Sequence, residues 1–82
     1  MAFTIYVKND GDTATVRIFQ RINNNESKNL YEDVIEAGTQ VPVQALKTDD
    51  DDDERGEFIW EHKGSGLTGQ QYVKADEELR VR

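Results

Sequence analysis

Hydrophobic and polar residues alternate one by one along several stretches of the chain, a pattern typical of β-strands with one buried face. Near the start, Phe3, Ile5 and Val7 alternate with more polar neighbours. Similar stretches recur about every ten residues, separated by turn-forming residues. We expect Trp60 to lie in the core. The pattern predicts strands near residues 2–8, 13–22, 30–36, 39–46, 57–63, 71–74 and 79–82.

The segment between the first two predicted strands reads Asn9-Asp10-Gly11-Asp12. An Asp-Gly pair between two alternating runs favours a tight hairpin, because both central residues of such a turn tolerate positive φ. We therefore expect the first two strands to pair with each other.

Residues 28–37 are compatible with a short helix or with a strand. Several apolar residues in this stretch have helical spacing, with Ser27 placed as an N-cap and Gly38 just beyond the end. The β-branched residues on both sides of Gly38 favour two strands joined by a turn, and we prefer this interpretation. Pro42 falls in the second of these strands. Because proline cannot donate to a ladder, that strand is expected at a sheet edge, or bulged there.

Seven short strands separated by turns predict an all-β fold, a small antiparallel β-sandwich. A chain of 82 residues is long enough for one domain, covering residues 1–82. The first strand ends in Asn-Asp-Gly, a turn falls midway at Gly38, and the Trp60 strand follows a long loop. This order of features resembles small immunoglobulin-like and C2-like sandwiches in architecture, although the immunoglobulin cysteines are absent. No apolar run exceeds three residues, so neither a membrane-spanning helix nor a signal peptide is expected in these residues. The compartment cannot be read from the sequence.

The charge of the chain is concentrated in one segment. Seventeen acidic and ten basic residues give a net charge of −7, but without one run of six acids the balance is eleven to ten. We expect this run to form a flexible loop at residues 48–56, in a long hairpin. An acidic balance argues against binding to nucleic acids and to anionic lipid surfaces, which both require clustered basic residues. The run consists of Asp49, Asp50, Asp51, Asp52, Asp53 and Glu54.

Three interpretations of the acidic run stay open. It supplies many carboxylate oxygens, the ligands that Ca²⁺ prefers, so the six acids are a candidate metal site. An EF-hand is excluded, because Arg55 stands at the third ligand position and His62 at that of the bidentate glutamate. Alternatively, mutual repulsion keeps the loop mobile and the protein soluble. In the third interpretation, the negative charge attracts a basic partner.

The residues needed for catalysis are scarce. The chain has one histidine and no cysteine, whereas nucleophilic catalysis requires a nucleophile, a base and an orienting group in one pocket. We expect His62, next to Glu61, to be a solvated residue at a strand end. The sequence therefore predicts a protein that is not an enzyme and has no cofactor, with Ca²⁺ as the one alternative.

Four residues are candidates for contact with a partner protein. Tyr6 lies on the polar side of the first strand, and exposed tyrosines are common at interfaces. Pro42 marks the predicted sheet edge, where strand addition or self-association would occur. Arg17 and Arg21 share one face of the second strand. Our leading hypothesis is a non-enzymatic module that binds a protein partner through its loops and a sheet edge. The second hypothesis is a Ca²⁺-responsive domain.

Overall fold

A computed structural model describes residues 2–47 and 55–82 of the chain. Within these residues it contains seven strands in a body with principal dimensions of 35 × 25 × 16 Å. The alternating stretches form the strands, each a few residues from its predicted position. In chain order the strands are β1 (Ala2–Asn9), β2 (Ala14–Asn23), β3 (Glu26–Ile35), β4 (Gln40–Leu46), β5 (Arg55–His62), β6 (Thr68–Lys74) and β7 (Glu78–Val81).

The seven strands form a three-stranded sheet of order β4-β1-β7 and a four-stranded sheet of order β3-β2-β5-β6. The prediction of a small all-β sandwich is confirmed. The preference for a strand over a helix at residues 28–37 is also confirmed, because β3 covers most of this stretch. Four of the five pairings are antiparallel. The exception is the pair of β1 and β7, which run parallel.

The core lies between the two sheets and is built from alternate residues of the strands. The rings of Phe3 and Phe58, one from each sheet, pack edge to face with centroids 6.4 Å apart. Trp60 is buried, as predicted. Full burial of each large apolar side chain stabilises the fold by roughly 1.5–3 kcal/mol. The buried apolar residues are Phe3, Ile5, Val7, Val43, Ala45, Leu79 and Val81 in the first sheet, and Val16, Ile18, Ile35, Phe58, Trp60 and Val73 in the second.

The predicted hairpin between β1 and β2 is wrong, because these strands belong to different sheets. Neither Asp10 nor Gly11 has the positive φ that a tight hairpin turn requires. The Asn9 side chain holds the segment instead. Its amide nitrogen donates to the carbonyls of Asp12 and Ile35, both at 2.8 Å, and its oxygen accepts the Gly11 N–H at 2.9 Å. The segment therefore crosses from one sheet to the other.

The predicted edge position of Pro42 is confirmed, since β4 is an outer strand of the three-stranded sheet. The Asn9 N–H donates to the Thr39 carbonyl at 3.0 Å, and hydrogen-bonded pairs alternate along an antiparallel ladder. Pro42, opposite Tyr6, is therefore in a pair whose main-chain groups point away from each other. Its ring nitrogen faces the open side of the strand, where the missing N–H costs no ladder bond.

The acidic run falls almost entirely outside the described residues. The flexible loop predicted at residues 48–56 is described only at 55 and 56, the first residues of β5. The strands on either side, β4 and β5, belong to different sheets. They do not form the predicted hairpin.

Candidate functional site

The predicted partner-binding residues lie on opposite faces of the sandwich. Tyr6 and Pro42 are directly opposite each other on the outer face of the three-stranded sheet. Tyr6 is half-buried, with Glu78 opposite it on the other side. Arg17 and Arg21 lie on the outer face of the four-stranded sheet, because the buried residues of β2 are at the alternate positions 16, 18 and 20. The structure therefore brings the four residues together only as two separate pairs.

Arg17 is held by carboxylates of the neighbouring strands. Its Nε and Nη2 donate to the two carboxylate oxygens of Glu32 at 3.1 and 3.2 Å, and its Nη1 lies 3.9 Å from Glu61. The guanidinium carbon is 5.9 Å from the centroid of the Phe19 ring. The hydrogen bond from Arg17 lowers the pKa of Glu32 below its ordinary value. Arg17 thus links β2 to both of its neighbours in the sheet.

Arg21 belongs to a second cross-strand cluster, centred on Glu57. The Arg21 Nε donates to one Glu57 oxygen, and the Gln70 amide donates to the other at 2.8 Å. The hydrogen bond from Gln70, followed by that from Arg21, holds the pKa of Glu57 below its ordinary value, although desolvation opposes this shift. Both arginines therefore already have carboxylate partners within the sheet.

His62 is fully buried, so the expectation of a solvated imidazole is wrong. Its Nδ1 accepts the Ser65 N–H at 3.0 Å, which places the proton of the neutral ring on Nε2. The Nε2 lies 3.0 Å from the Asp12 carbonyl and 3.2 Å from the Asn9 side-chain oxygen. Both ring nitrogens thus have hydrogen-bond partners within the fold. His62 joins the β5–β6 turn to the segment between β1 and β2.

Gln20 is a second buried polar residue, and it links the two sheets. Its amide nitrogen donates to the Leu46 carbonyl at 2.6 Å, and its oxygen accepts the Leu46 N–H at 2.8 Å. A Cβ added at Gly56 would lie 2.9 Å from the Gln20 nitrogen, so β5 also begins against this amide. Gln20 therefore contacts the described chain on both sides of the acidic run.

Sequence reasoning missed the buried polar residues, although a signal was present. Asn9, Gln20 and His62 each continue an inward-facing apolar series by one further step of two residues. A polar residue at an inward position near a strand end must find hydrogen-bond partners inside the fold. Each of the three does so.

The metal prediction is not tested by the described part of the chain. The acids Asp49 to Glu54 lie outside residues 2–47 and 55–82. Within those ranges, no group of three or more histidine and acidic side chains is arranged to hold a metal ion. The described residues also contain no helix that is long and apolar enough to cross a membrane.

A sandwich with open sheets has four edge strands, and natural proteins protect such edges against pairing with other chains. On β4, Pro42 removes one outward N–H, and the Leu46 main-chain groups are bonded to Gln20. On β3, a register shift opposite Ile18 and Phe19 interrupts the pairing with β2. The Asp33 carboxylate also accepts the Val34 N–H at 2.7 Å.

The third edge strand, β7, is protected because it is short and carries charged residues. It has only four residues, and two of them, Glu78 and Arg80, are joined by a hydrogen bond of 2.8 Å. Short and charged edges are poor templates for an additional strand. Three of the four edges are therefore protected.

The fourth edge strand, β6, presents main-chain groups to which no other described residue bonds. The His62 N–H donates to the Leu67 carbonyl at 3.0 Å, which sets the alternation of hydrogen-bonded pairs along β5 and β6. The outward main-chain groups consequently belong to Thr68, Gln70, Tyr72 and Lys74. Those of Lys74 are occupied, because its N–H donates to the Glu77 carboxylate at 2.9 Å and its carbonyl accepts the Glu77 N–H at 3.0 Å.

We call residues 68–72 the open edge. Its outward residues Thr68, Gln70 and Tyr72 carry no charge, and among the described residues none bonds to their outward main-chain groups. The pairing of β5 with β6 shows no register shift, and the Tyr72 side chain is 71% exposed. A cleft of about 350 Å³ lies at the end of this edge, lined by Arg55, Tyr72, Val73, Lys74 and Glu77. The sequence pointed to an edge near Pro42, but the unprotected edge is on β6.

No protein-family model, curated protein or solved structure matches this chain. The structure shows a two-sheet sandwich, and the likeness to immunoglobulin-like or C2-like architecture stays a prediction. Function must therefore be inferred from the residues themselves.

Proposed function

We propose that the chain is a non-enzymatic module that binds a protein partner by adding an extended segment of that partner to the open edge. Strand addition needs a row of unpaired main-chain groups, which supply affinity, and accessible side chains, which supply specificity. The open edge offers an N–H and a C=O from each of Thr68, Gln70 and Tyr72. This row of free groups is the observation that carries the proposal.

The charge of the chain favours a basic partner segment. Six of the seventeen acids lie in the run that directly precedes Arg55, and Arg55 is opposite Lys74 at the end of β6. The run is therefore joined to the fold near one end of the open edge. A net charge of −7 accelerates the approach of a cationic segment, and salt above roughly 0.15 M weakens this attraction.

A titration with a defined peptide tests the proposal. The probe is an eight-residue peptide of alternating lysine and threonine, which can extend as a strand and carries positive charge. The measurement is the amide NMR spectrum of the protein, recorded at low and high salt. We expect the largest shifts at the amides of Thr68, Gln70 and Tyr72, with weaker binding in high salt.

Two proline variants make the test specific for the edge. Gln70→Pro removes an outward N–H without breaking a bond to β5, just as Pro42 is accommodated on β4. Gln44→Pro is the matched control at an outward position of β4. Gln44 also donates its side-chain amide to a neighbouring strand, to Thr4 Oγ1 at 2.9 Å. We expect Gln70→Pro to abolish binding and Gln44→Pro to preserve it; equal binding by both variants would contradict the proposal.

The Ca²⁺-responsive domain is the alternative, and the six consecutive acids of the sequence favour it. Metal that binds the folded state raises the midpoint of thermal unfolding. Melts with and without millimolar Ca²⁺, repeated on a variant with serine at positions 49–54, test this alternative. An unchanged midpoint in the unmodified chain would eliminate it.

A further inference from the structure

We infer that the open edge also pairs with the open edge of a second copy of this chain, antiparallel, about a two-fold axis that passes beside Gln70. The inference rests on the same surface as the proposed function, because both need the outward main-chain groups of residues 68–72. Two four-stranded sheets would join in this way into one continuous sheet of eight strands.

The register follows from the alternation of the outward groups. With Gln70 opposite its own counterpart, Thr68 of one copy faces Tyr72 of the other, and the reverse pair forms at the far end. Each such pair exchanges two hydrogen bonds, so three pairs give six bonds. A shift by two residues leaves two pairs and four bonds. A shift by one residue places each outward residue opposite a residue whose main-chain groups point towards its own β5, so no such pair forms. The register centred on Gln70 therefore satisfies the most groups.

The two ends of the open edge are consistent with this symmetric pairing. At one end, the outward groups of Lys74 are bonded to Glu77. At the other end, the next position in the alternation is Gly66, whose N–H donates to the His62 carbonyl at 2.9 Å in the turn that precedes β6. The free stretch consequently has Gln70 at its middle and is complementary to itself, as a two-fold interface must be.

The local charges allow a second copy to approach. None of Thr68, Gln70 and Tyr72 is charged, and in this register Lys74 comes opposite Gly66 of the other copy. Like charges therefore do not face each other across the new pair. The net charge of −7 on each copy still repels at long range, so salt should strengthen the dimer. Salt has the opposite effect on a basic partner, which separates the two occupants experimentally.

The contact is limited to one strand on each side, below the size of a standard interface, so we expect a dissociation constant on the order of 0.1–1 mM. Sedimentation velocity at protein concentrations from roughly 20 μM to 2 mM, in about 0.05 and 0.5 M NaCl, measures this dissociation constant. The dimer fraction should rise with concentration, and the dissociation constant should fall about threefold or more at the higher salt.

Variants at the open edge identify the surface. Gln70→Pro should be monomeric throughout, whereas Gln44→Pro on β4 should dimerise like the unmodified chain. Gln70→Lys is a second variant that leaves the main chain unchanged. It places lysine opposite lysine, so it should weaken the dimer about threefold, and high salt should recover part of the loss.

The outcomes separate this inference from the proposed function. A chain that stays monomeric at 2 mM in 0.5 M NaCl, or a dimer that Gln70→Pro leaves intact, overturns the inference, even if the basic peptide binds. A dimer that depends on Gln70 supports it. If such a dimer forms and the peptide fails to bind even the monomer at low concentration, the inference stands and the proposed function fails.

Discussion

Replacing Gln20 with leucine should lower the free energy of unfolding by about 2–4 kcal/mol. The side chain is fully buried and makes two hydrogen bonds, of 2.6 and 2.8 Å, to the main chain of Leu46. Each bond contributes roughly 1 kcal/mol net, and leaving the Leu46 N–H and carbonyl without partners adds a similar cost for each. Leucine has nearly the volume of glutamine, so a cavity contributes little.

Urea denaturation followed by the fluorescence of Trp60, the only tryptophan, measures this loss. With a slope of about 1 kcal/mol/M for a small domain, the midpoint should fall by roughly 2–4 M. Gln70→Leu is the control, because it removes an exposed hydrogen bond and should change stability by no more than about 0.5 kcal/mol. If both variants lost the same small amount of unfolding free energy, the hydrogen bonds between Gln20 and Leu46 would not stabilise the contact between the sheets.

Gln20→Glu sharpens the test through its pH dependence. The introduced carboxylate would be buried against the Leu46 carbonyl, so its pKa in the folded state should lie above the unfolded value of about 4.3. The destabilisation is then complete above the folded pKa and shrinks as the pH falls towards the unfolded value, where the protonated acid can donate to the carbonyl. Relative to the unmodified chain, the deficit should be larger at pH 7.5 than at pH 5. Equal deficits would refute this reasoning.

Three further predictions concern other parts of the fold. Gly69→Ala should cost about 1–3 kcal/mol in thermal denaturation, because the new methyl group would overlap the Trp60 indole; an unchanged midpoint would contradict the packing described. His62→Leu should cost about 2–4 kcal/mol, since it leaves buried hydrogen-bond partners unsatisfied; stability within 0.5 kcal/mol in urea would show that the network contributes nothing. The lowered pKa of Glu57 stabilises the fold above the unfolded pKa, and this contribution is lost as the pH falls through the folded value. Glu57→Gln should therefore lose less unfolding free energy than the unmodified chain between about pH 6 and pH 3, and parallel pH profiles would refute the assignment.

The period-two pattern predicted which side chains face the core. Phe3, Ile5 and Val7 point inward, and Trp60 does so on β5. This succeeded because side-chain direction in a strand depends only on position along that strand. The edge position of Pro42 was likewise predictable, because proline has no N–H to donate to a second neighbouring strand.

Strand neighbours were harder to predict, because they depend on contacts between distant segments. Asp10-Gly11 has the local chemistry of a hairpin, but the Asn9 side chain directs the segment towards the other sheet. The open edge on β6 is likewise a property of the whole arrangement. Nothing in the identity of Thr68, Gln70 or Tyr72 shows that none of the other described strands lies beside them.

The parallel pair of β1 and β7 affects when the protein can fold during its synthesis. β1 lies at the centre of the three-stranded sheet, and one of its two neighbours is built from residues 78–81. A nascent chain on the ribosome cannot complete that sheet until residues 78–81 have emerged, so we expect the sheet to form late and on the slow time scale of proteins rich in distant contacts. Until then, one side of β1 lacks its partner strand and can pair with other nascent chains.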